Sequence, residues 1–284
     1  MTSEAHEAPG RRLQLAGFNN LTKSLSFNIF DVRYAASEAA QRRCLQALDR
    51  LYGVAALERV LADVAAVINA RLVNVSTQGY DPHGASLVAL LNEHAPTPAG
   101  RSGQTANTEQ TGQAGRSEPS GHTGRSVVGH LDKSHITFHT YPERHRASGF
   151  VCCRVDLDIA TCGTISPLAA LDQLIGAFRS DVVVIDYRVR GFTRDAAGEK
   201  MTIDHPIRSI GEYIGEALMR GYERREANIA AENIFHLRLK KREPRPADYL
   251  FDAGEARLPR SEADRVHAAM LKELADLFGG GSPA

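Results

Sequence analysis

The chain has 284 residues, of which 43% are hydrophobic and 24% charged, and its 34 Lys and Arg residues balance 34 Asp and Glu residues. This composition is typical of a globular protein that buries a core without disulfide staples. The zero formal charge argues against a nucleic-acid binder that relies on bulk basic charge, and no apolar run approaches the ~20 residues that would span a bilayer.

The residues before position 95 predict both strands and helices. Leu25, Phe27 and Ile29 alternate within Ser24–Val32, which predicts a strand. Helical spacing then predicts two helices, Ser37–Tyr52, for which Ser37 is a possible N-cap, and Ala55–Ala70. Two further strands are predicted at Leu72–Ser76 and Ser86–Leu91.

One composition break interrupts this pattern. Residues Ala95–Arg125 contain no Val, Ile, Leu or aromatic residue and are dominated by Gly, Ser, Thr, Gln and Pro. Such a stretch cannot bury enough apolar surface to offset the entropy of ordering it. We therefore interpret 95–125 as a disordered insert.

The remaining residues return to mixed strands and helices. Alternating apolar residues predict three strands, His135–Tyr141, Phe150–Ala160 and Val182–Phe192, and a short partner strand, Met201–Ile203. Helices are predicted after Ser166-Pro167, over Ile210–Tyr222 and over Ser261–Phe278, the last with Ser261 and Asp264 as an approximate capping box. Ile229–Leu239 is ambiguous. The pattern predicts an α+β fold: a layered α/β sandwich with a mainly antiparallel sheet and helices on the outer face.

Common sequence signatures exclude more than they identify. The chain has no Walker motif, HExxH, GxSxG or GxGxxG, and its four cysteines, at 44, 152, 153 and 162, form no CxxC pair. Polar Met1–Arg12 lacks the apolar core of a signal peptide. We expect a reduced, cytoplasmic protein without nucleic-acid or membrane partners.

Five long segments resemble one family. The segment HLDKSHITFHTYPE (His130–Glu143) closely resembles the cleavage site of bacterial S-adenosylmethionine decarboxylase proenzymes. Four other segments resemble the same family and keep its order: AGFNNLTKSLSF (Ala16–Phe27), YDPHGAS (Tyr80–Ser86), TCGTISP (Thr161–Pro167) and IDYRVRGFTRD (Ile185–Asp195). The length of the C-terminal region is similar to that of the larger proteobacterial form.

The resemblance implies a pyruvoyl enzyme that cuts its own chain at Lys133-Ser134. The products would be a beta chain, 1–133, and an alpha chain, 134–284, which together form one catalytic domain. Ser134 would become a pyruvoyl group, whose ketone forms an imine with the amine of S-adenosylmethionine and accepts the electrons released on decarboxylation, as pyridoxal phosphate does elsewhere. The product would be the aminopropyl donor for spermidine.

The resemblance also implies roles for single residues. His139 would be the proton acceptor in processing, for which a neutral imidazole is suited near pH 7, and Cys162 the proton donor in catalysis. Ser86 would assist processing by hydrogen-bonding the carbonyl under attack. Tyr80 would stack on the adenine and Glu143 would hold the ribose hydroxyls.

One of these roles conflicts with strand geometry. In a straight strand His139 would lie roughly 16 Å from Ser134 and point to the opposite face. The sequence interpretation therefore requires either a sharp turn around Lys133-Ser134 or an approach of His139 across neighbouring strands.

Magnesium and self-association into oligomers of cleaved chains are expected through the resemblance alone. Two alternatives stay open. The first is a pyruvoyl-dependent arginine or ornithine decarboxylase on the same scaffold, which would share Ser134 and His139. The second is an uncleaved, non-enzymatic homologue that acts as a binding partner or regulator.

Overall fold

The computed structural model describes residues 20–92, 134–163, 165–251 and 259–280. The expected insert at 95–125 and Lys133 lie outside these ranges. The strands described are β1 (Asn20–Tyr34), β2 (Arg71–Gly79), β3 (Ala85–Asn92), β4 (His135–Arg144), β5 (Phe150–Cys162), β6 (Val182–Arg194), β7 (Lys200–Met201), β8 (Tyr222–Ile229) and β9 (Ile234–Lys241). The α-helices described are α1 (Glu38–Leu51), α2 (Val54–Val67), α3 (Leu171–Ala177), α4 (Glu216–Met219) and α5 (Arg260–Gly279).

The strands join in a single antiparallel sheet within the described residues. Their order is β2-β3-β4-β5-β1-β6-β9-β8, and β7 pairs with β6 beside this path. Long β1 lies at the centre, where it pairs with β5 from Thr22 to Tyr34 and with β6 from Asn20 to Phe30. The predicted α+β architecture with a mainly antiparallel sheet is confirmed.

One face of the sheet forms the main core. Leu25, Phe27 and Ile29 of β1 are almost fully buried, because alternate residues of a strand point to the same face. They share one apolar cluster with the buried sides of α1, α2 and α3. These three helices therefore cover this face of the sheet.

In the described part of the chain, a helix covers the opposite face of the sheet at one end but not along its whole length. Met270, Leu274 and Phe278 of α5 pack there with Val32 of β1 and Val182 of β6. Further along the same face the side chains are polar and partly exposed: the amide of Asn28 donates to Asp156 at 2.7 Å, and Arg190 donates to Ser24 at 3.2 Å. This polar face carries several of the residues singled out by the sequence analysis.

Helix ends follow the local sequence in one case and depart from it in another. Ser37 caps α1 as predicted, because its side chain accepts a hydrogen bond from the Ala40 amide. Helix α5 matches its predicted range, but Pro259 is its N-cap residue and no side chain caps it, so the predicted capping box of Ser261 and Asp264 is wrong.

The predicted helix over Ile210–Tyr222 is also wrong. The structure has a 3-10 turn at Ile210–Tyr213 and the single turn of α4, and Tyr222 begins a strand. Ser166-Pro167 likewise opens a 3-10 turn, Pro167–Ala170, before α3 begins. Among the residues described, no helix combines the length and the apolar character needed to cross a membrane.

Candidate active site

Ser134 lies where the ends of three strands meet. Strand β4 pairs antiparallel with β3 on one side and β5 on the other, so the residue before it lies between the end of β3 and the end of β5. The Leu91 amide donates to the Ser134 carbonyl at 2.7 Å, and the Cys162 amide donates to the Ser134 Oγ at 3.0 Å. Ser134 is only 3% exposed. Its backbone and its hydroxyl are thus both held in place.

Cys162 brings a thiol to the same corner. It is the last residue of β5, it is exposed, and its Sγ lies 3.9 Å from the Thr22 Oγ1 on the neighbouring β1. Gly163 follows with φ of 112°, a conformation that favours glycine, so the chain turns sharply after the cysteine. The structure therefore brings Ser134 and Cys162 together, as the sequence interpretation expected.

His139, Tyr80 and Ser86 form a second group on the polar face. The Tyr80 hydroxyl lies 3.1 Å from the His139 Nδ1. Ser86 is directly opposite His139 in the register of β3 and β4, and Asp156 is opposite it in β5. The hydrogen bond with Tyr80 orients the imidazole ring, although the tautomer decides which partner donates.

One aromatic side chain, Tyr141, and one cationic side chain, Arg154, join this group, although the sequence analysis did not single them out. The Tyr141 ring lies 6.3 Å from the His139 ring and 6.5 Å from the Tyr80 ring, both in stacked orientations. The Arg154 guanidinium lies 4.6 Å above the Tyr141 ring centroid. Tyr141 follows His139 by two residues and so lies on the same strand face, which is the signal that could have found it.

The two groups do not meet within one chain. Strand β4 runs without a bulge past both neighbours from His135, so His139 lies five residues, or roughly 16 Å, from Ser134. The sharp turn predicted at Lys133-Ser134 lies partly outside the described residues. Glu143 lies further along β4, where it lines a cavity of about 450 Å³ with Cys152 and Glu273.

In the described part of the chain, no three side chains among His, Cys, Asp and Glu come together in a way that could hold a metal ion. The described residues therefore offer no preformed ligand set for the magnesium that the sequence interpretation expected.

Comparison with known proteins gives the site its context. A model of the S-adenosylmethionine decarboxylase family matches residues 101–191. The S-adenosylmethionine decarboxylase proenzyme of Hahella chejuensis is 44% identical over 94% of this chain and 96% of its own, and that of Halorhodospira halophila is 44% identical over 95% of both chains.

Among solved structures, the adenosylmethionine decarboxylase from Aquifex aeolicus overlaps 61% of this chain and 90% of its own with 16% identity and a TM-score of 0.32, values too low to support an argument. The two proenzymes are stronger evidence, because the similarity to each extends along almost the whole of both chains. This chain accordingly belongs to the S-adenosylmethionine decarboxylase proenzyme family.

Proposed function

We propose that this protein is a self-processing, pyruvoyl-dependent decarboxylase that converts S-adenosylmethionine into the aminopropyl donor for spermidine synthesis. Relatives that are 44% identical over nearly the whole chain carry the name of this activity and of a proenzyme. The observation that carries the proposal within the structure is the hydrogen bond of 3.0 Å from the Cys162 amide to the Ser134 Oγ. It joins the residue to be processed to the proposed proton donor.

Processing begins at the Ser134 hydroxyl. Its Oγ attacks the Lys133 carbonyl carbon, the peptide C–N bond breaks, and an ester replaces the amide. Removal of the Ser134 α-proton then expels the Lys133 carboxylate and leaves dehydroalanine, which takes up water and releases ammonia to give the pyruvoyl group. The beta chain ends at Lys133 and the alpha chain begins at residue 134. The hydrogen bond from the Cys162 amide supports this sequence because it fixes the Oγ while leaving the hydroxyl proton free to depart.

His139 and Ser86 assist processing, and the strand distance restricts how they do so. Over roughly 16 Å an imidazole cannot remove a proton from the Ser134 of its own chain. We infer that His139 acts on the Ser134 of a second chain, with Ser86 polarising the carbonyl under attack from the same side. Self-association is then a requirement of processing.

Decarboxylation needs an electron sink, and the ketone of a pyruvoyl group supplies one. Ser134 lies at a corner where the exposed thiol of Cys162 is the neighbouring acid. Cys162 donates its proton to the substrate α-carbon after carbon dioxide has left. Thr22, 3.9 Å from the Sγ, limits the directions in which the thiol can turn.

Tyr80 and Glu143 belong to the proposed nucleoside site. Stacking of a base on an aromatic ring contributes roughly 1–3 kcal/mol in nucleic-acid binders, and Tyr80 has a second ring, Tyr141, stacked beside it. Glu143 is exposed on the same face of β4, and we propose that it accepts hydrogen bonds from the ribose hydroxyls. An assay of carbon dioxide release from S-adenosylmethionine, arginine and ornithine tests this assignment, since release from arginine or ornithine alone would establish the alternative decarboxylase.

Denaturing mass spectrometry tests the cleavage. The purified protein should separate into two fragments that meet at Lys133-Ser134, and Ser134→Ala should leave one intact chain, because no hydroxyl remains to attack. Cys162→Ala is the matched control: it should still be cleaved but should not turn over substrate. A wild-type chain that stays whole under conditions of full activity would contradict the proposal, and a whole, inactive chain would favour a non-enzymatic homologue. No disulfide joins the four cysteines, all of which lie within the described residues, and this supports a reducing, cytoplasmic setting for the enzyme.

A further inference from the structure

A fully buried lysine lies on the core side of β1. Lys23 has no exposed surface, and its neighbours on that side of the strand, Leu21 and Leu25, are equally buried. A buried ammonium is costly unless its charge is paired and its protons are hydrogen-bonded. Position 23 would be expected to hold another apolar residue if packing alone decided it.

The partners of Lys23 account for all three of its protons. Its Nζ lies 2.9 Å from the Gly163 carbonyl, 3.2 Å from the Ile165 carbonyl and 2.5 Å from the Asp204 Oδ2. Lysine offers three donors, so the ammonium is saturated. Two of the three acceptors belong to the turn that directly follows Cys162.

This turn is held from both sides of the cysteine. The Thr161 Oγ1 donates to the Ile165 carbonyl at 3.0 Å, while Lys23 binds the same carbonyl. Cys162 lies between these anchors, and its amide is the donor that holds the Ser134 Oγ. A shift of the turn would therefore move the amide and the thiol together.

The counter-charge comes from a distant loop between β7 and the 3-10 turn at Ile210–Tyr213. Asp204 is 3% exposed, and its Oδ1 lies 2.7 Å from the His205 Nδ1, while the His205 Nε2 lies 2.9 Å from the Tyr213 hydroxyl. Burial raises the pKa of Asp204, but the hydrogen bond with His205 and the charge of Lys23 outweigh this effect and lower the pKa to about 2. Asp204 is thus an anion at neutral pH.

We propose that Lys23 and Asp204 are positioning residues for Cys162, which fix the turn after the thiol so that it and the Cys162 amide face Ser134. Both side chains are buried, so they act through the turn and not on the substrate, and the proposal rests on the proposed role of Cys162 as proton donor. The buried pair thus links the loop that holds Asp204 to the turn after Cys162.

The test must separate positioning from stability. In Lys23→Met/Asp204→Leu both charges leave together, and replacing a buried ion pair by apolar residues of similar size is often neutral or stabilising. The Gly163 and Ile165 carbonyls lose their ammonium donor, so we expect a folded protein with a displaced Cys162. The single variant Asp204→Asn keeps the shape of the side chain but removes its charge.

Asp181→Asn is the matched control. Asp181 is also fully buried and accepts hydrogen bonds from the Val32 amide at 2.9 Å and the Tyr249 hydroxyl at 2.8 Å. Its amide donates to the Phe30 carbonyl of β1 at 2.9 Å, whereas Cys162 pairs with Thr22 at the other end of that strand. Loss of this charge should lower stability without changing the reacting corner.

Two readouts are measured on each variant: the rate of Cys162 alkylation by iodoacetamide, followed by mass spectrometry, and kcat and KM for S-adenosylmethionine. We expect the double variant and Asp204→Asn to change the alkylation rate and to lower kcat about tenfold or more with KM little altered, because small displacements of reacting groups cost large factors in rate. Asp181→Asn should match wild type in both.

The proposal is overturned if the folded double variant alkylates and turns over within about twofold of wild type, a change too small for a misplaced reacting group. If Asp204→Asn does not fold, the double variant decides alone. Alkylation needs no turnover, so an inactive wild type with a Cys162 that still responds to the double substitution would refute the proposed function and retain the positioning role.

Discussion

Asp31 is a buried carboxylate whose ionisation opposes folding. It is 2% exposed and lies against Arg33, Tyr52 and Arg179. Burial raises its pKa from 3.8 to about 6, Asp181 contributes in the same direction, and Arg33 and the Tyr52 hydroxyl only partly offset them. The folded protein therefore holds this proton more tightly than the unfolded chain does.

A pH dependence of stability follows from this shift. A carboxyl with a raised folded pKa stabilises the fold below the unfolded pKa, and this stabilisation is lost as the pH rises from about 4 to 6. Asp31→Asn cannot ionise, so the free energy of unfolding of the variant relative to wild type should rise by roughly 3 kcal/mol across this range. Urea unfolding at pH 4, 5, 6 and 7 measures it, and a difference that does not change with pH would contradict the assignment.

Asp204→Asn should show the opposite sign at lower pH. The pKa of Asp204 is lowered to about 2, so its stabilising effect is present above pH 4 and is lost as the pH falls towards 2. The free energy of unfolding of wild type relative to this variant should therefore decrease on acidification below pH 4. Urea unfolding between pH 2 and pH 5 measures this, and a difference that grows on acidification would be inconsistent with it.

At the scale of elements, the turn between β2 and β3 determines where Tyr80 meets His139. The Tyr80 amide donates to the Gly84 carbonyl at 2.8 Å, and the Gly84 amide donates to the Asp49 Oδ1 at 2.7 Å. Gly84 has φ of 104°. A Cβ placed on it would clash with the Thr140 carbonyl oxygen and would lie 3.1 Å from the Tyr80 ring. Only glycine suits this position.

Gly84→Ala should therefore lower stability by about 1–3 kcal/mol through backbone strain and weaken substrate binding by moving the Tyr80 ring. Thermal unfolding and KM for S-adenosylmethionine measure the two effects. Gly79→Ala is the matched control, because a Cβ there would meet no atom within 4 Å. Equal KM values for the two variants would refute a role of this turn in placing Tyr80.

Most of the elements that could be predicted from the sequence have a buried face; β2, which is largely exposed, is an exception. Strands β3 and β4 and helices α1 and α2 each show alternating or helical spacing of apolar residues, because one side of each packs into the core. Strand β8 shows no such pattern. It is an edge strand with mostly polar, exposed side chains, so nothing in its residues distinguishes it from a loop or helix.

The helix predicted over Ile210–Tyr222 is wrong because glycines interrupt an otherwise helical pattern. Ile210, Ile214 and Leu218 follow helical spacing, but Gly215 is the N-cap residue of α4 and Gly221 follows its last turn. Glycine weakens helices, and here it separates two short turns. The Lys23–Asp204 pair could not be predicted either, because the fold brings its partners together from distant parts of the chain.

At the scale of the whole molecule, the proposed chemistry is divided between two places on one sheet. Ser134 and Cys162 lie at the ends of β4 and β5. His139 lies five residues along β4 from Ser134, with Ser86 of β3 and Tyr80 of the β2–β3 turn beside it. If His139 is the base in processing, the geometry of a single chain requires that a second chain supply it. The polar sheet face beyond α5 carries both groups, so that two chains could exchange them.

Two inactive chains can test this requirement. Ser134→Ala retains His139 but has no hydroxyl to attack, and His139→Ala retains the hydroxyl but lacks the imidazole, so neither should be cleaved when produced alone. Co-expressed with different affinity tags and purified as mixed assemblies, the His139→Ala chain should be cut at Lys133-Ser134, because the Ser134→Ala chain supplies the base. A His139→Ala chain that stays whole in confirmed mixed assemblies would show that the base acts within one chain, and the strand would then have to bend in a way that the register of β4 between β3 and β5 opposes.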